Sequence, residues 1–184
     1  MRVDWRQIMI AFTIYTANTT GAKQNKLYPN EVTVDNLPAL MQAMCHDHVC
    51  AKYIGNERSV ANFQYADCIP MDCDNDYSDN SAEWKTPEDV QKAFPNVAFA
   101  VSYSRNHMKE KSGKAARPKF HCYFPIKRTT SAEQYVALKR QIQKTFLQFD
   151  ANALDAGRFL FGVNVLQWQQ NGGRSLHYGR WPER

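Results

Sequence analysis

The sequence predicts an α+β protein in which helices flank a largely antiparallel sheet. Two observations support this class. Runs of small, β-branched and aromatic residues, such as NVAFAVSYS and KFHCYFPI, indicate buried strands. Amphipathic segments that begin with helix-capping residues lie among these runs. The 184 residues, 43% of them hydrophobic, suffice for one domain with a sizeable core.

The first third of the chain predicts two helices followed by two strands. The segment VDWRQIMIAFTIYTA can open as a helix at Asp4. Its apolar stripe would consist of Trp5, Ile8, Met9 and Phe12. A polar loop follows, and a second helix is predicted from about Asp35 to His46. VCAKYI and DCIPMDC then predict strands that enter or leave a sheet.

A third helix and two buried strands are predicted in the middle of the chain. Thr86 and Asp89 have the spacing of a capping box, so a helix should run from there to about Phe94. NVAFAVSYS and KFHCYFPI follow as strands. The basic, glycine-containing stretch between them, RNHMKEKSGKAARP, is predicted to be a mobile loop.

The longest helix is predicted at about residues 131–148. It would start with a capping box of Thr130 and Glu133. Its buried face would carry Tyr135, Leu138, Ile142 and Phe146. Its other faces would carry Lys139, Arg140 and Lys144. After it, VNVLQWQQNGGRSLHYGRW predicts a hairpin around residues 171–173.

Charged residues are unevenly distributed along the chain. Lys and Arg outnumber Asp and Glu by 23 to 18, which permits a polyanionic partner. Seven of the 18 acids lie within residues 72–89, and eight of the 23 bases lie within residues 105–128. An acidic block followed by a basic block suits a metal site beside a phosphate-binding surface.

Cysteine usage and hydropathy indicate where the protein acts. The five cysteines are odd in number and irregularly spaced, so we expect them to be reduced. No apolar run approaches the roughly 20 residues that a membrane span needs, and the N-terminus lacks the pattern of a secretory signal. We therefore expect a cytoplasmic protein without a membrane partner.

The stretch IPMDCDNDYSDN, residues 69–80, combines an apolar strand with four aspartates. Asp72 and Asp74 are two positions apart, so a strand would point both carboxylates to one face, where they repel each other unless a cation neutralises them. Mg²⁺ or Mn²⁺ prefers such oxygen ligands. An acidic loop at a strand end is the alternative. An EF-hand calcium loop is disfavoured, because Tyr77 stands where that turn needs glycine.

Two further segments supply candidate residues. In RPKFHCYFPI, His121 lies mid-strand with Lys119 two residues earlier on the same face, and an imidazole beside a metal site can hydrogen-bond and charge-pair with a triphosphate. In FDANALDAGRFLFG, Asp150 could be a third metal ligand and Arg158 could reach a phosphate or align that acid. The alternatives are a packing histidine, a capping role for Asp150, and an ion pair between Asp155 and Arg158.

The order of these segments resembles the archaeo-eukaryotic primase superfamily, the primase-polymerases. A strand with Asp-x-Asp, a strand with His, and an Asp followed at +8 by Arg occur in that order over roughly residues 65–162. PMDCDND, SRNHMKEKSGKAARPKFHCYFPI and RFLFG look like parts of the primase-polymerase domains of mobile-element and phage replication proteins. One departure is Lys119, which stands where the family's second motif, Ser-x-His, usually has serine.

This resemblance implies a fold and an activity. The fold is an RRM-like antiparallel sheet with flanking helices, in one domain that combines a 65–184 catalytic core with a small 1–64 N-terminal α/β module packed on it. The activity is template-directed nucleotidyl transfer by a DNA primase or DNA polymerase, with single-stranded DNA as template and NTP or dNTP as substrate. Such relatives commonly carry a helicase, so a helicase domain or subunit is an expected partner.

The resemblance also implies roles for particular residues. The catalytic acids, which would bind two Mg²⁺ or Mn²⁺ ions, are Asp72, Asp74 and Asp150. The residues that would bind the nucleotide triphosphate are His121, Lys119, Arg158, Arg58 and Arg117. Arg58 lies in NERSVANF, which resembles a nucleotide-contacting segment of close relatives, and a solvated turn residue is the alternative. Basic residues of the 105–128 stretch would hold the template strand.

Other features favour different functions. MCHDHVCAKY contains four possible zinc ligands, namely Cys45, His46, His48 and Cys50. Structural zinc sites usually use two separated ligand pairs, so such crowding disfavours zinc. His46, Asp47 and His48 also resemble the paired histidines of rolling-circle initiators, metal-dependent nickases that act through a tyrosine, although a hydrophobic residue separates those histidines. The third alternative is a non-catalytic single-stranded nucleic-acid-binding module, in which Asp72 and Asp74 would repel the strand.

Overall fold

The computed structural model describes residues 11–163 and, for the backbone only, residues 175–178. They form two antiparallel sheets and three α-helices, which confirms the predicted α+β class. The smaller sheet consists of β1 (Phe12–Thr16), β2 (Asn30–Val34) and β3 (His48–Val49), in the order β2-β1-β3. The larger sheet consists of β4 (Ala51–Tyr53), β5 (Phe63–Cys73), β6 (Phe99–Tyr103), β7 (Phe120–Thr129) and β8 (Ser175–Tyr178), in the order β4-β5-β7-β6-β8. The helices are α1 (Leu37–Met44), α2 (Pro87–Ala93) and α3 (Ala132–Thr145), and as far as the described residues extend none is long and apolar enough to cross a lipid bilayer.

One face of the larger sheet packs against helices. Side chains of neighbouring strand residues point to opposite faces, so each strand of the sheet contributes to two separate layers. Ile69, Met71 and Phe124 belong to the cluster that also contains Val90 of α2 and Tyr135 of α3. This cluster is the main hydrophobic core.

The opposite face of the larger sheet packs against the N-terminal sheet and α1. Ala100 and Tyr123 share a second buried cluster with Phe12 of β1 and Leu40 of α1. The rings of Phe12 and Tyr123 are stacked, with centroids 6.4 Å apart. The molecule therefore has three layers, and the larger sheet is the middle one.

The predicted N-terminal helix is wrong where it overlaps the described residues. Phe12–Thr16 form β1, and all five residues of this strand, FTIYT, are buried. A short run that is buried on both faces has no period that separates strand from helix, and its β-branched and aromatic residues favour the strand. Residues 4–10 of the predicted helix and the predicted hairpin at 171–173 lie outside the described part of the chain.

The helices and strands predicted for the middle of the chain are confirmed. α1 lies within the predicted second helix. α2 starts with the predicted capping box, in which the Asp89 carboxylate accepts a hydrogen bond from the Thr86 amide at 3.0 Å. NVAFAVSYS and KFHCYFPI form β6 and β7, which are neighbours in the larger sheet.

The longest helix differs from its prediction in three details. Its N-cap is Ser131 instead of Thr130, and the Ser131 hydroxyl accepts from the backbone of the first turn at 3.2 Å. Leu138, expected on the buried face, is exposed. Lys139, expected on another face, is 0% exposed and donates from Nζ to the Asp155 carbonyl at 2.9 Å. Burial lowers the pKa of Lys139 to about 8.

The larger sheet takes residues from both sides of the boundary predicted between the N-terminal module and the core. β4 comes from the N-terminal side, yet it pairs with β5. The boundary at residues 64 and 65 falls inside β5. The two parts are thus joined through a shared sheet as well as through the apolar layer between them.

Candidate active site

A row of polar residues crosses three strands of the larger sheet. Asp72 of β5 lies opposite His121 of β7, and His121 lies opposite Ser102 of β6. Directly opposed residues of antiparallel strands point to the same face, so these three buried side chains lie together. Tyr123, two residues further along β7 on that face, already belongs to the apolar contact with the N-terminal sheet. The polar row therefore begins where this apolar contact ends.

Asp72 is a buried carboxylate, 6% exposed, with one satisfied and one unsatisfied oxygen. Its Oδ2 accepts a hydrogen bond from Nη2 of Arg158 at 2.9 Å. Its Oδ1 lies 3.5 Å from Nε2 of His121 but makes no hydrogen bond within the described residues. Burial raises the pKa of Asp72, and the Arg158 guanidinium opposes this rise. An unsatisfied buried acceptor is costly, so a donor or cation would bind favourably at this oxygen.

His121 is an uncharged imidazole at neutral pH. Burial lowers its pKa to about 4, although the nearby Asp74 carboxylate favours the charged form. The uncharged imidazole can form the predicted hydrogen bond with a triphosphate, and the predicted charge pair requires the ring to be protonated. A phosphate placed next to the ring would raise this pKa.

Asp74 and Lys119 form an ion pair at the edge of the polar row. Nζ of Lys119 lies 3.4 Å from Oδ1 of Asp74 and 3.0 Å from Oδ1 of Asp76. Lys119 is buried, whereas Asp74 is partly exposed. Burial and the Asp72 charge raise the pKa of Asp74, and Lys119 opposes both. Lys119 thus balances the acidic stretch that follows β5.

The fold brings Asp150 next to Asp72. The Asp150 amide donates to the Asp72 carbonyl at 2.8 Å. Nη2 of Arg158, bonded to Asp72, also lies 4.0 Å from Oδ2 of Asp150, so both carboxylates border one guanidinium. Oδ1 of Asp150 caps the turn that follows it by accepting from the Asn152 amide at 2.9 Å. The capping role that was the alternative for Asp150 is therefore present, and Oδ2 remains directed towards Arg158.

Arg158 belongs to a segment that lies along β3. Leu160 exchanges two backbone hydrogen bonds with His48, each with an N to O distance of 2.9 Å. The Gly162 amide donates to the buried carboxylate of Asp47 at 2.8 Å. A Cβ at Gly162 would collide with the backbone just before β3, so this approach needs glycine. The N-terminal sheet thereby helps to position a residue of the site.

Arg58 contacts the same segment from the loop between β4 and β5. Its Nη1 donates to the Gly157 carbonyl at 2.8 Å, and its guanidinium lies 4.7 Å from the centroid of the Phe159 ring. Nε of Arg58 and Nε of Arg158 are buried donors without a partner in the described part of the chain. Together with Oδ1 of Asp72 they are polar atoms that a bound ligand could satisfy.

Arg117, predicted from the sequence as a substrate contact, bonds the loop that follows β5. Its side chain is 1% exposed. It donates to the carbonyls of Asn75 and Ser78 at 2.9 and 3.1 Å and to the Asp79 carboxylate at 2.9 Å. Its guanidinium lies 5.1 Å from the centroid of the Trp84 ring. With its donors turned inward, Arg117 shapes the acidic loop after β5.

The Cys and His cluster before β4 is occupied by internal contacts. Nε2 of the buried His48 hydrogen-bonds the Tyr123 hydroxyl, and Nδ1 bonds the His46 carbonyl, each at 2.9 Å. Burial lowers the pKa of His48 to about 4. The Asp47 carboxylate accepts, at 2.8 Å each, from the amides of Gly21, Ala22 and Gly162. Both ring nitrogens of His48 and both carboxylate oxygens of Asp47 are therefore used by internal hydrogen bonds, whereas Nδ1 of His46 is buried without a partner in the described residues.

The carboxylates of Asp72, Asp74 and Asp150 have the chemistry that divalent metal ligands need. Within residues 11–163, no three His, Cys, Asp or Glu side chains are already arranged to hold a metal ion. Carboxylate oxygens are nevertheless the donors that Mg²⁺ and Mn²⁺ prefer, and Oδ1 of Asp72 lacks the partner that a cation would supply. Arg158 provides the positive charge beside Asp72 and Asp150. A metal ion bound to these carboxylates would therefore either share them with the guanidinium or displace it.

Ser102 is a residue of the row that the sequence analysis missed. Its hydroxyl lies 3.3 Å from that of Tyr123. The available signal was one hydroxyl in the otherwise apolar start of β6, FAVSY, at the strand phase of Ala100. Its position opposite His121 depends on the register between β6 and β7, which the sequence does not specify.

No family model and no curated protein matches this chain. Among solved structures, the chain is similar to the AEP domain of the cyanophage S-2L primase-polymerase, PrimPol, with 16% sequence identity and a TM-score of 0.48. The alignment covers 94% of this chain and 83% of that one.

Proposed function

We propose that this chain catalyses template-directed nucleotidyl transfer, as a DNA primase or DNA polymerase of the primase-polymerase kind. The observation that carries the proposal is the convergence of four side chains from distant parts of the sequence, Asp72, His121, Asp150 and Arg158. They meet at the end of one sheet face. Asp72 and Arg158 keep buried polar atoms without partners in the described part of the chain, as expected of a site built for a charged ligand.

Asp72, Asp74 and Asp150 are the proposed metal ligands. Two Mg²⁺ or Mn²⁺ ions held by such carboxylates supply activation of a 3′-hydroxyl and charge stabilisation of the departing pyrophosphate. The raised pKa of Asp72 and of Asp74 supports this assignment, because like charges held in a desolvated place favour a bound cation. Arg158 and Lys119 neutralise the same carboxylates in the structure.

His121 and Arg158 are the proposed triphosphate contacts. The His121 imidazole offers a hydrogen bond to a phosphate oxygen, and the Arg158 guanidinium offers paired donors and a charge. Arg58, whose Nε lacks a partner in the described residues, adds a further donor on the same side. Lys119 is also near, but it would have to release one of its aspartates to join them. NTP and dNTP carry the same triphosphate, so both are proposed substrates.

The single-stranded DNA template is proposed to lie on the basic residues of the 105–128 stretch. Phosphate binding to such a surface depends on counterion release, so the affinity should fall steeply with salt concentration. Aromatic or apolar base contacts add little salt dependence, which makes the slope a measure of the phosphate contacts. A helicase domain or subunit as partner, and a cytoplasmic role in replication of a mobile element or phage, belong to the same proposal.

Synthesis on an unprimed template tests the proposal. The chain is incubated with single-stranded DNA, Mg²⁺ or Mn²⁺, and labelled ribonucleotides or deoxyribonucleotides. The native chain should give labelled products, and the double variant Asp72→Asn, Asp74→Asn should give none. Asp35→Asn is the matched control, because Asp35 is exposed and precedes α1. Equal synthesis by native and double-variant chains would contradict the proposal, and so would the absence of product with any metal and nucleotide when a primer is also annealed to the template.

The same reactions separate the two alternatives. A rolling-circle-type nickase would leave cleaved DNA covalently attached to the protein, which a denaturing gel detects. A non-catalytic module would retain single-stranded DNA without synthesis, and the double variant, which lacks two repelling charges, would bind at least as well as the native chain. The internal hydrogen bonds of His48 and Asp47 favour neither alternative.

A further inference from the structure

A cationic cleft lies beside the polar row, between the acidic loop after β5 and the connection from β6 to β7. This lysine cleft, of about 160 Å³, is lined by Lys109, Lys111, Lys114, Lys119 and Asp76, with Ser112 at its rim. Four lysines thus surround one carboxylate. Glu110 lies on the adjoining outer surface of the connection. The cleft has an excess of positive charge that its own residues do not neutralise.

The outer wall of the lysine cleft is a tight hairpin that opposes two lysines. Lys111 and Lys114 form an antiparallel bridge, with N to O distances of 3.2 and 3.0 Å. The two residues between them, Ser112 and Gly113, have φ of 52° and 77°, as a type I′ turn requires. Like charges directly opposite each other in such a pair are destabilising. An anion bound between them would remove this repulsion.

Asp76 acts as an internal anion in the lysine cleft. Its Oδ1 lies 3.0 Å from Nζ of Lys119, 3.8 Å from Nζ of Lys114 and 3.8 Å from Nη1 of Arg117. Three cationic groups therefore converge on one carboxylate oxygen. The Asp76 side chain is 44% exposed, so its ion pairs are partly solvated and turning into solvent should cost it little. A polyphosphate carries more charge and more acceptor oxygens than this carboxylate, and a strand presents one charged phosphodiester per nucleotide, so either should compete for the same donors.

We infer that the lysine cleft is a phosphate-binding site, and that the Asp76 carboxylate occupies the position of the phosphate when none is bound. The phosphate is either part of a polyphosphate, such as pyrophosphate or a nucleotide triphosphate tail, or part of a nucleic-acid backbone. Lys119 joins the cleft to the polar row, because its Nζ lies within 4 Å of both Asp74 and Asp76. The choice between these phosphate compounds rests on the proposed function, whereas the cleft itself does not.

Binding measurements without divalent metal test the inference. Pyrophosphate is titrated into the protein in EDTA and low salt by calorimetry, and a short oligonucleotide lacking a 5′-phosphate is followed by fluorescence anisotropy. Lys111→Ala, Lys114→Ala should weaken binding at least tenfold. Asp76→Asn should tighten it at least threefold, because the competing charge is gone. Lys23→Ala, Lys26→Ala is the matched control, since both lysines are exposed in the loop between β1 and β2, and it should leave binding within twofold.

The outcomes distinguish the sources of the phosphate and the two proposals. The expected order of affinities is Asp76→Asn, then the native chain, then Lys111→Ala, Lys114→Ala. If pyrophosphate shows this order, the cleft binds a polyphosphate. If only the oligonucleotide shows it, the cleft binds a strand. Equal binding of both compounds by the cleft and control variants, or weaker binding by Asp76→Asn at an unchanged unfolding midpoint, would overturn the inference. If the binding affinities follow this order but the chain synthesises no product, the proposed function is refuted and the phosphate cleft is not. If the chain synthesises product but the affinities do not follow this order, the phosphate cleft is refuted and the proposed function is not.

Discussion

Two regions of the molecule are equally rich in ionisable residues but differ in how their polar atoms are satisfied. The segment around His46, Asp47 and His48 buries a carboxylate that accepts three backbone amides, and the His48 ring uses both nitrogens. The polar row of Asp72 and His121 instead keeps a buried carboxylate oxygen without a hydrogen bond in the described residues. Both oxygens of the Asp47 carboxylate accept hydrogen bonds, although Nδ1 of the neighbouring His46 is a buried atom without a partner within residues 11–163. The Asp72 carboxylate has only one of its oxygens satisfied, so the two regions differ in whether their buried carboxylate has its donors and not in their density of titratable residues.

Replacing the carboxylate of the polar row should have the largest effect on synthesis. Asp72→Asn keeps the shape and an acceptor for Arg158 but removes the charge that a divalent cation needs. We expect synthesis to fall at least 100-fold, or about 2.7 kcal/mol in activation free energy. The free energy of unfolding should change by only about 1 kcal/mol, because a buried charge already has a desolvation cost. Primer-independent synthesis and urea unfolding measure the two quantities, and a stable variant with native activity would refute the assignment.

The histidines should make stability depend on pH between about 6.5 and 4. The folded pKa of His48 and of His121 is about 4, below the ordinary value near 6.5, so the unfolded state binds more protons in this window. The free energy of unfolding should therefore fall as the pH falls through it, by on the order of 2–3 kcal/mol for each histidine. The raised pKa of Asp72 and of Asp74 acts in the opposite direction. Comparing the native chain with His48→Gln isolates one histidine, and parallel pH profiles for the two would be inconsistent with this account.

Asp47, the buried carboxylate of the segment around His46 and His48, allows a substitution that matches Asp72→Asn. Asp47→Asn exchanges one acceptor oxygen for a donor, which leaves a buried backbone amide without its partner. We expect a loss of about 2 kcal/mol in the free energy of unfolding. Synthesis per folded molecule should fall far less than in Asp72→Asn. Thermal or urea unfolding at pH 7 checks the first expectation, and the comparison fails if Asp47→Asn is as stable as the native chain.

Ser102 should show the smallest effect. Ser102 lies opposite His121, and its hydroxyl is 3.3 Å from the Tyr123 hydroxyl, which is a long hydrogen bond. Ser102→Ala should reduce the rate of synthesis about threefold, or about 0.7 kcal/mol, with stability nearly unchanged. Separate measurements of kcat and KM would show where the change lies. A loss above 100-fold would mean that Ser102 touches the substrate.

The strands, and the positions of Asp72 and His121 on them, could be predicted because their signals are local. Asp72 is at the end of an apolar run and His121 lies in an alternating strand, so residue type and strand phase were visible in the sequence. Asp74 lies one residue beyond the end of β5, where strand phase no longer applies. α2 was predicted correctly because its capping box is contained in four residues. In β1, by contrast, burial on both faces removed the period that would have excluded a helix.

The remaining features depend on contacts between distant residues. Lys139 was expected on an outer face because a lysine rarely lies in a core. It is buried, and the carbonyl of Asp155 in the following segment accepts a hydrogen bond from its Nζ. Arg117 was grouped with phosphate-binding residues, but its partners, Asn75, Ser78 and Asp79, belong to a loop about forty positions earlier. Backbone acceptors leave no mark in a sequence pattern, so neither role could be predicted.

The bonds between Leu160 and His48 have a consequence for how the candidate site is assembled. They attach the backbone that carries Arg158 to the small N-terminal sheet, whereas Asp72 belongs to the large one. The ion pair between these two residues therefore forms only when both sheets are folded and packed together, so a substitution that loosens β3 should also weaken the contact of the guanidinium with the carboxylate.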